Sequence, residues 1–258
     1  RGLPAVPQVL TKNADHFIWA AQLLYDMGYE EVNLNLGCPS GTVAAKGKGS
    51  GFLRDPKGLT EFFDHVFSAG LDVKISVKTR LGLTDPDEFP RILEIYNQYP
   101  IKELTIHPRV RKQFYKGGVD VNMFRYALEN SKNPLCYNGN LRTLSEVRAF
   151  EAEFPQVEAV MIGRGLVGNP AMFHPGTTAE TIRAFHDALL ETYIETFGSA
   201  RNAIFRLKEN WHCMILLFEG SEKLWKKLRK TTDIAEYRAI TAEIFATLPM
   251  REELQADW

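Results

Sequence analysis

The sequence predicts an α/β fold: a (β/α)8 barrel of the TIM type with six of its eight strands present, followed by a C-terminal α-helical bundle. Three observations predict it. Over the first two-thirds of the chain, short apolar runs alternate with amphipathic runs, the pattern of a parallel sheet with right-handed crossovers. Polar residues gather at the carboxyl ends of those strands: Gln8, Asn35 and Cys38, Lys78 and Arg80, His107 and Arg109, Asn138 to Asn140, Gly163 and Arg164. A barrel opens every strand end onto one face, whereas a doubly wound open sheet concentrates its ligands at a switch point. Finally, from about Gly176 onward the periods are helical and no strand interrupts them. The expected domains are therefore 1–175, the barrel, and 176–258, the helical domain.

Taken in order, Ala5–Leu10 is the first strand, and Asn13 can cap a helix whose inner face is Phe17, Ala20, Ala21, Leu24 and Met27. Val32–Leu36 alternates apolar residues with Asn33 and Asn35, and Gly37 breaks it. Asp55-Pro56 opens a helix in the preferred cap-then-proline order, with Leu59, Phe62, Phe63 and Val66 inward. Val73–Thr79 is the third strand, and Asp85-Pro86 opens the helix bearing Phe89, Ile92, Leu93 and Tyr96. Glu103–His107 is the fourth strand, followed by a long polar loop and a helix beginning near Asp120. Leu135–Tyr137 is the fifth, after which Thr143 and Glu146 form a capping box. Ala159–Ile162 is the sixth, and Asn169-Pro170 caps a short turn. The bundle is expected to comprise Thr181–Thr196, Asn202–Phe218, Glu222–Lys230 and Ile234–Thr247. Because a closed barrel needs eight strands, two N-terminal βα units are expected to be absent here, leaving an open groove beside six strands.

Composition narrows the function. No run of about 18 apolar residues exists, so no membrane span is expected. The three cysteines, Cys38, Cys136 and Cys213, are odd in number and far apart, which argues for a reducing compartment. No CxxC pair and no HxxxH spacing occurs, so no metal site is expected. The net charge of −1 gives no global attraction to nucleic acid, so any RNA contact must come from a local patch.

The chemistry-bearing residues each admit two readings. Two amides inside a core strand are costly unless something polar meets them. Cys38, on a loop at a strand's carboxyl end, is placed for chemistry, although most intracellular cysteines are merely small buried thiols. Asn138-Gly139-Asn140 and Gly163-Arg164-Gly165 end the last two strands, where barrels often hold a phosphate on glycine loops; ordinary tight turns are the alternative, which their joint occurrence on these two strands disfavours. Lys78 lies within a core strand and His107 ends one, suiting either ion pairs or a polar cofactor ring. Lys223, Lys226, Lys227 and Lys230 share one helical face, which is either solvated surface or an RNA contact.

Together these segments resemble the tRNA-dihydrouridine synthases. The resemblance rests on Asn33-Leu34-Asn35-Leu36-Gly37-Cys38-Pro39 with Lys46-Gly47-Lys48-Gly49 behind it, and on Val77-Lys78-Thr79-Arg80 and Ile106-His107-Pro108-Arg109. It continues through Tyr137-Asn138-Gly139-Asn140 and Met161-Ile162-Gly163-Arg164-Gly165. It implies an FMN-containing barrel with a tRNA-holding helical domain, reducing the uracil 5,6 double bond with NADPH as reductant. It further implies that Cys38 is the general acid towards uracil C5, after hydride reaches C6 from flavin N5. Gln8, Lys78 and His107 would contact the flavin, and Asn138, Gly139, Asn140, Gly163 and Arg164 its phosphate. Asn35 would face the uracil, Arg80 and Arg109 would lie near the substrate or the flavin phosphate, and the lysine face would meet tRNA. The family more often has aspartate where Asn140 stands, and its first-strand alanine-proline-methionine flavin contact has no match here. A cytoplasmic, monomeric enzyme is expected. The alternatives are an FMN-barrel reductase of the dihydroorotate dehydrogenase or enoate reductase kind, and an inactive RNA-binding remnant.

Overall fold

The structure is a computed structural model and describes residues 4–174 and 176–255. Among them, six strands form one sheet in chain order: β1 (Gln8–Val9), β2 (Glu31–Leu36), β3 (Lys74–Arg80), β4 (Leu104–His107), β5 (Leu135–Tyr137) and β6 (Ala159–Val160). Every neighbouring pair is parallel. β1 and β6 are the edges of the sheet and are not paired with each other. Between the strands run α1 (Ala14–Asp26), α2 (Gly41–Ala45), α3 (Pro56–Ser68), α4 (Phe89–Tyr96), α5 (Val121–Asn130) and α6 (Leu144–Glu153). Their starts follow local chemistry: the side chains of Asn13, Asp55 and Asp120 accept from the backbone N–H of His16, Gly58 and Met123.

The register separates two faces. Val32, Leu34, Leu36, Val77, Leu104 and Ile106 are buried on the helix-covered side, near Phe62, Phe63, Phe89 and Tyr96 of the buried core. Phe63 meets Tyr96 edge-on at 5.9 Å. Burial is worth roughly 1.5–3 kcal/mol for each such side chain, so this face carries the stability of the sheet. The other face is polar, row by row. Gln8, Asn33 and Ser76 form one row, and Asn35, Lys78, Thr105 and Cys136 the next, with Arg80 beside His107 above them. A slip of one residue would exchange the faces, so the apolar alternation fixes where the polar groups stand.

Three expectations are corrected in detail. The first strand, expected over Ala5–Leu10, pairs only at Gln8–Val9, because Pro4 and Pro7 have no N–H for a ladder. Met27, expected inward, is 66 % exposed just past the end of α1, while Phe17 and Ala21 hold the buried face. The stretch beyond Cys38 is not a plain loop: it folds as α2 and a 3₁₀ turn, Gly49–Arg54.

The chain divides into two compact units. One comprises the residues up to Asn140 and Phe154–Met161; the other comprises Leu141–Glu153 and the residues from Ile162 onward. Set against the sequence boundary at 175/176, α6 and the segment after β6 group with the helical unit. That unit also holds α7 (Arg164–Gly168), α8 (Ala179–Phe197), α9 (Ala200–Met214), α10 (Glu222–Leu228) and α11 (Ile234–Thr247). Its core is built on Trp211, Tyr237, Ile204, Leu207 and Leu228, all fully buried. Among the described residues no helix is long and apolar enough to cross a membrane, and no cluster of His, Cys, Asp and Glu could hold a metal ion.

Candidate active site

The amides of β2 find polar partners on both sides. Asn33 donates to Ser76 Oγ at 2.9 Å and accepts from Gln8 Nε2 at 2.8 Å. Asn35 donates to Gln8 Oε1 at 2.7 Å, and its Oδ1 accepts the backbone N–H of Gly37 (3.0 Å) and of Cys38 (2.9 Å). Asn35 therefore sets the turn on which the thiol stands. An amide nitrogen has two hydrogens, and among the described residues the second one on Asn35 has no partner.

The segment after Cys38 clamps it from behind. The carbonyl of Cys38 accepts from Ser50 through both Oγ (2.7 Å) and the backbone N–H (3.1 Å). A Cβ on Gly49 would lie 2.9 Å from Cys38 Cβ, and one on Gly51 would lie 2.4 Å from Ala44 O, so these glycines permit the close return of the chain. Arg54 ties the same segment by donating to the carbonyls of Gly51 and Ala44. Cys38 is half-exposed, whereas Cys136 and Cys213 are buried.

Two cations of β3 differ sharply. Arg80 is buried and donates to Gly37 O (3.0 Å) and Val110 O (3.2 Å), joining the turn after β2 to the loop after β4. Burial lowers its pKa to about 10, against the opposing fields of Tyr115 and Cys38. Lys78 is half-buried and has neither a hydrogen bond nor an ion pair among the described residues. Burial first, and the charge of Arg80 second, pull its pKa down to about 8.

His107 and Arg109 form a unit at the end of β4. Arg109 Nη1 lies 3.0 Å from His107 Nε2; because a guanidinium only donates, Nε2 accepts and the ring proton sits on Nδ1. The same guanidinium donates to Gly117 O and, at 2.9 Å, to Asn140 Oδ1. Arg109 is therefore buried structure linking two strand ends rather than an exposed cation. Asn138 donates to Met161 O at 2.8 Å, fixing the end of β6. Asn140 has φ 49°, a left-handed conformation that asparagine tolerates and most residues do not. The N–H groups of Gly139 and Asn140 have no partner among the described residues, as an anion-binding turn requires.

Gly163 and Arg164 fall in the helical unit. Gly165 packs its α-carbon against the backbone of Leu141 and Arg142, and Arg164 is half-exposed within the electrostatic reach of Cys213. Lys223, Lys226, Lys227 and Lys230 are all exposed, while Leu224 and Leu228 turn into the core.

The dihydrouridine synthase family matches residues 2–256. The chain belongs to the dihydrouridine synthase family. It is 30 % identical over 254 residues to a probable tRNA-dihydrouridine synthase of Staphylococcus aureus (strain MRSA252), covering 95 % of this chain and 76 % of that protein. A similarly named protein of Staphylococcus epidermidis (strain ATCC 35984) is 29 % identical over 262 residues, covering 97 % of this chain and 78 % of the relative. One of Rhizobium leguminosarum bv. phaseoli is 29 % identical over 195 residues, 75 % of this chain and 60 % of the relative. One ring beside Arg80 and His107 was not singled out in the sequence. Tyr115, an exposed ring in the long loop after β4, lies 5.3 Å from the Arg80 guanidinium and 6.1 Å from the His107 ring. Its sequence signal was the Phe114-Tyr115 pair inside a long loop rich in basic residues.

Proposed function

We propose that this chain reduces the 5,6 double bond of uridines in tRNA, with FMN bound on the polar face of the sheet and NADPH as reductant. The observation that carries this reading is Lys78: a half-buried ammonium with no counter-ion among the described residues, in register with Asn35, whose side chain holds the backbone of Cys38. Such a group fits a ligand that develops negative charge, and a flavin ring does so on reduction. Gln8, Asn35, Lys78 and His107 supply the neutral and cationic donors that a flavin's carbonyls and ring nitrogens accept. Asn138, Gly139 and Asn140 are assigned to its phosphate. When bound, FMN would supply hydride to uracil C6.

The chain's own residues do the rest. Cys38 holds a proton for uracil C5, on a backbone immobilised by Asn35 and Ser50. The second amide hydrogen of Asn35 is available to the base, and Tyr115 offers it a ring. Arg80 and Arg109, being buried, act by position: Arg80 holds the turn of Cys38, and Arg109 holds His107 and Asn140.

The test is oxidation of the chemically reduced, flavin-loaded protein by unmodified tRNA. Rapid reoxidation with dihydrouridine appearing in the RNA is the expected result. Reoxidation by dihydroorotate's product or an enone but not by tRNA would replace the assignment with a small-molecule reductase, and a protein that takes up no flavin would end the enzymatic reading.

The lysine face is assigned to the tRNA backbone. Reversing Lys223, Lys226, Lys227 and Lys230 to glutamate is expected to weaken tRNA binding and flatten its salt dependence, because each phosphate contact releases counterions. Flavin content should not change. An unaltered salt slope would show the face to be merely solvated.

A further inference from the structure

Away from the lysine face, the helical unit carries a second surface that alternates rings and cations. On α9, Arg201, Phe205, Lys208 and His212 follow at intervals of four, three and four residues, so they share one strip of the helix. Arg201 Cζ lies 5.9 Å and Lys208 Nζ 5.2 Å from the centre of the Phe205 ring. The strip continues onto α10: the His212 ring lies 6.2 Å from that of Trp225, and Arg229 Cζ lies 5.6 Å from the Trp225 ring. Lys208 joins the two helices by donating to the carbonyls of Arg229 and Thr231. Around α10, Trp225 and Arg229 lie to one side of the buried pair Leu224 and Leu228, and Lys223 and Lys227 to the other.

Two features say what this surface fits. Phe205 is 49 % exposed, and a surface cation–π contact is worth only about 0.5–1 kcal/mol, less than the apolar burial this ring forgoes. The strip positions themselves carry three positive charges and no carboxylate; of the neighbouring carboxylates, Glu209 is paired with Arg206 at 3.2 Å, and Glu236, which accepts from Thr231, lies within electrostatic reach of Lys208. Rings interleaved with arginines meet the two demands of unstacked RNA, a flat face for a base and donors for the phosphates beside it.

We propose that this strip is an RNA-contact surface that takes an unstacked nucleobase on Phe205, with Arg201 and Arg229 on the adjoining phosphates. It rests on the tRNA reading above and is separate from the lysine face. The test measures tRNA affinity against salt concentration for the intact chain and three variants. Phe205→Leu, at an exposed position and therefore folded, should lose ~5- to 150-fold in affinity with an unchanged salt slope, since a stacking contact goes and no phosphate contact does. Arg201→Gln should make the slope shallower by about 0.7–0.9. A single-stranded oligouridine should compete with tRNA better in the wild type than in Phe205→Leu. If the lysine-face reversal weakens binding while Phe205→Leu and Arg201→Gln match the wild type, the strip is overturned and the tRNA reading stands. If the wild type shows no salt-dependent tRNA binding, both fall together.

Discussion

Cys38→Ala is expected to lower dihydrouridine formation by roughly 10²–10⁴-fold, the worth of a positioned acid, without affecting flavin content or reduction by NADPH. Neither of those steps uses the thiol. The substitution also leaves the turn intact, because Asn35 and Ser50 hold the backbone of residue 38 and not its side chain. Cys136 and Cys213 are the internal controls. Cys136 lies on the same polar face, but burial pushes its thiol up to about 12, and Cys213 is packed inside the helical unit. Alanine at either should cost stability at most. The discriminating measurement is single-turnover oxidation of reduced flavin by tRNA. Reoxidation of Cys38→Ala at the wild-type rate, with Cys136→Ala slow, would transfer the role to Cys136.

The strand order was legible because its signals are local and redundant. Apolar alternation agrees with a capping Asn13, with the Asp55-Pro56 pair and with a helix start near Asp120, and in the structure all three side chains cap their helices. Failure came where the backbone competed with composition. Ala5–Leu10 looks like a strand by side chains, yet Pro7 within it and Pro4 before it lack the donors that would extend it. The glycine-rich stretch after Cys38 looked irregular because its order comes from long-range partners, Arg54 to Ala44 and Ser50 to Cys38, which no periodicity encodes.

The hydrogen-bond partners around β2 were less legible than the need for them. That Asn33 and Asn35 needed polar partners followed from the cost of burying an amide; that the partners are Gln8, Ser76 and the N–H groups of residues 37 and 38 did not. Arg80 and Arg109 read in the sequence as cations near a ligand; what the sequence did not encode is their burial, with Arg80 donating to the carbonyls of Gly37 and Val110 and Arg109 to His107, Gly117 and Asn140. Tyr115 escaped because a loop ring acquires meaning only from what it covers.

Tyr237→Phe is expected to destabilise the helical unit by about 2–6 kcal/mol, one to three for each of two buried groups left without a partner. Tyr237 Oη lies 2.8 Å from Trp211 Nε1 and 2.8 Å from His186 Nε2, and all three residues are fully buried. The indole nitrogen can only donate, so the tyrosine oxygen accepts there and its own hydrogen goes to His186. Nε2 is therefore bare, and the ring proton sits on Nδ1, 2.8 Å from Asp187. A second proton on the ring has no acceptor, and burial holds the pKa of His186 below its ordinary value. Asp187 opposes this shift, while Arg238 and Arg183, the other charges facing the ring, reinforce it. A depressed folded pKa gives stability that is full above the unfolded value of about 6.5 and is lost as pH falls below it towards the folded value. Unfolding of the wild type should thus move to lower denaturant as pH drops from 7.5 to 5.5, and His186→Gln should flatten that dependence. A Tyr237→Phe midpoint within about 0.5 kcal/mol of wild type, the range of ordinary surface changes, would show that the network is not what holds the bundle core together.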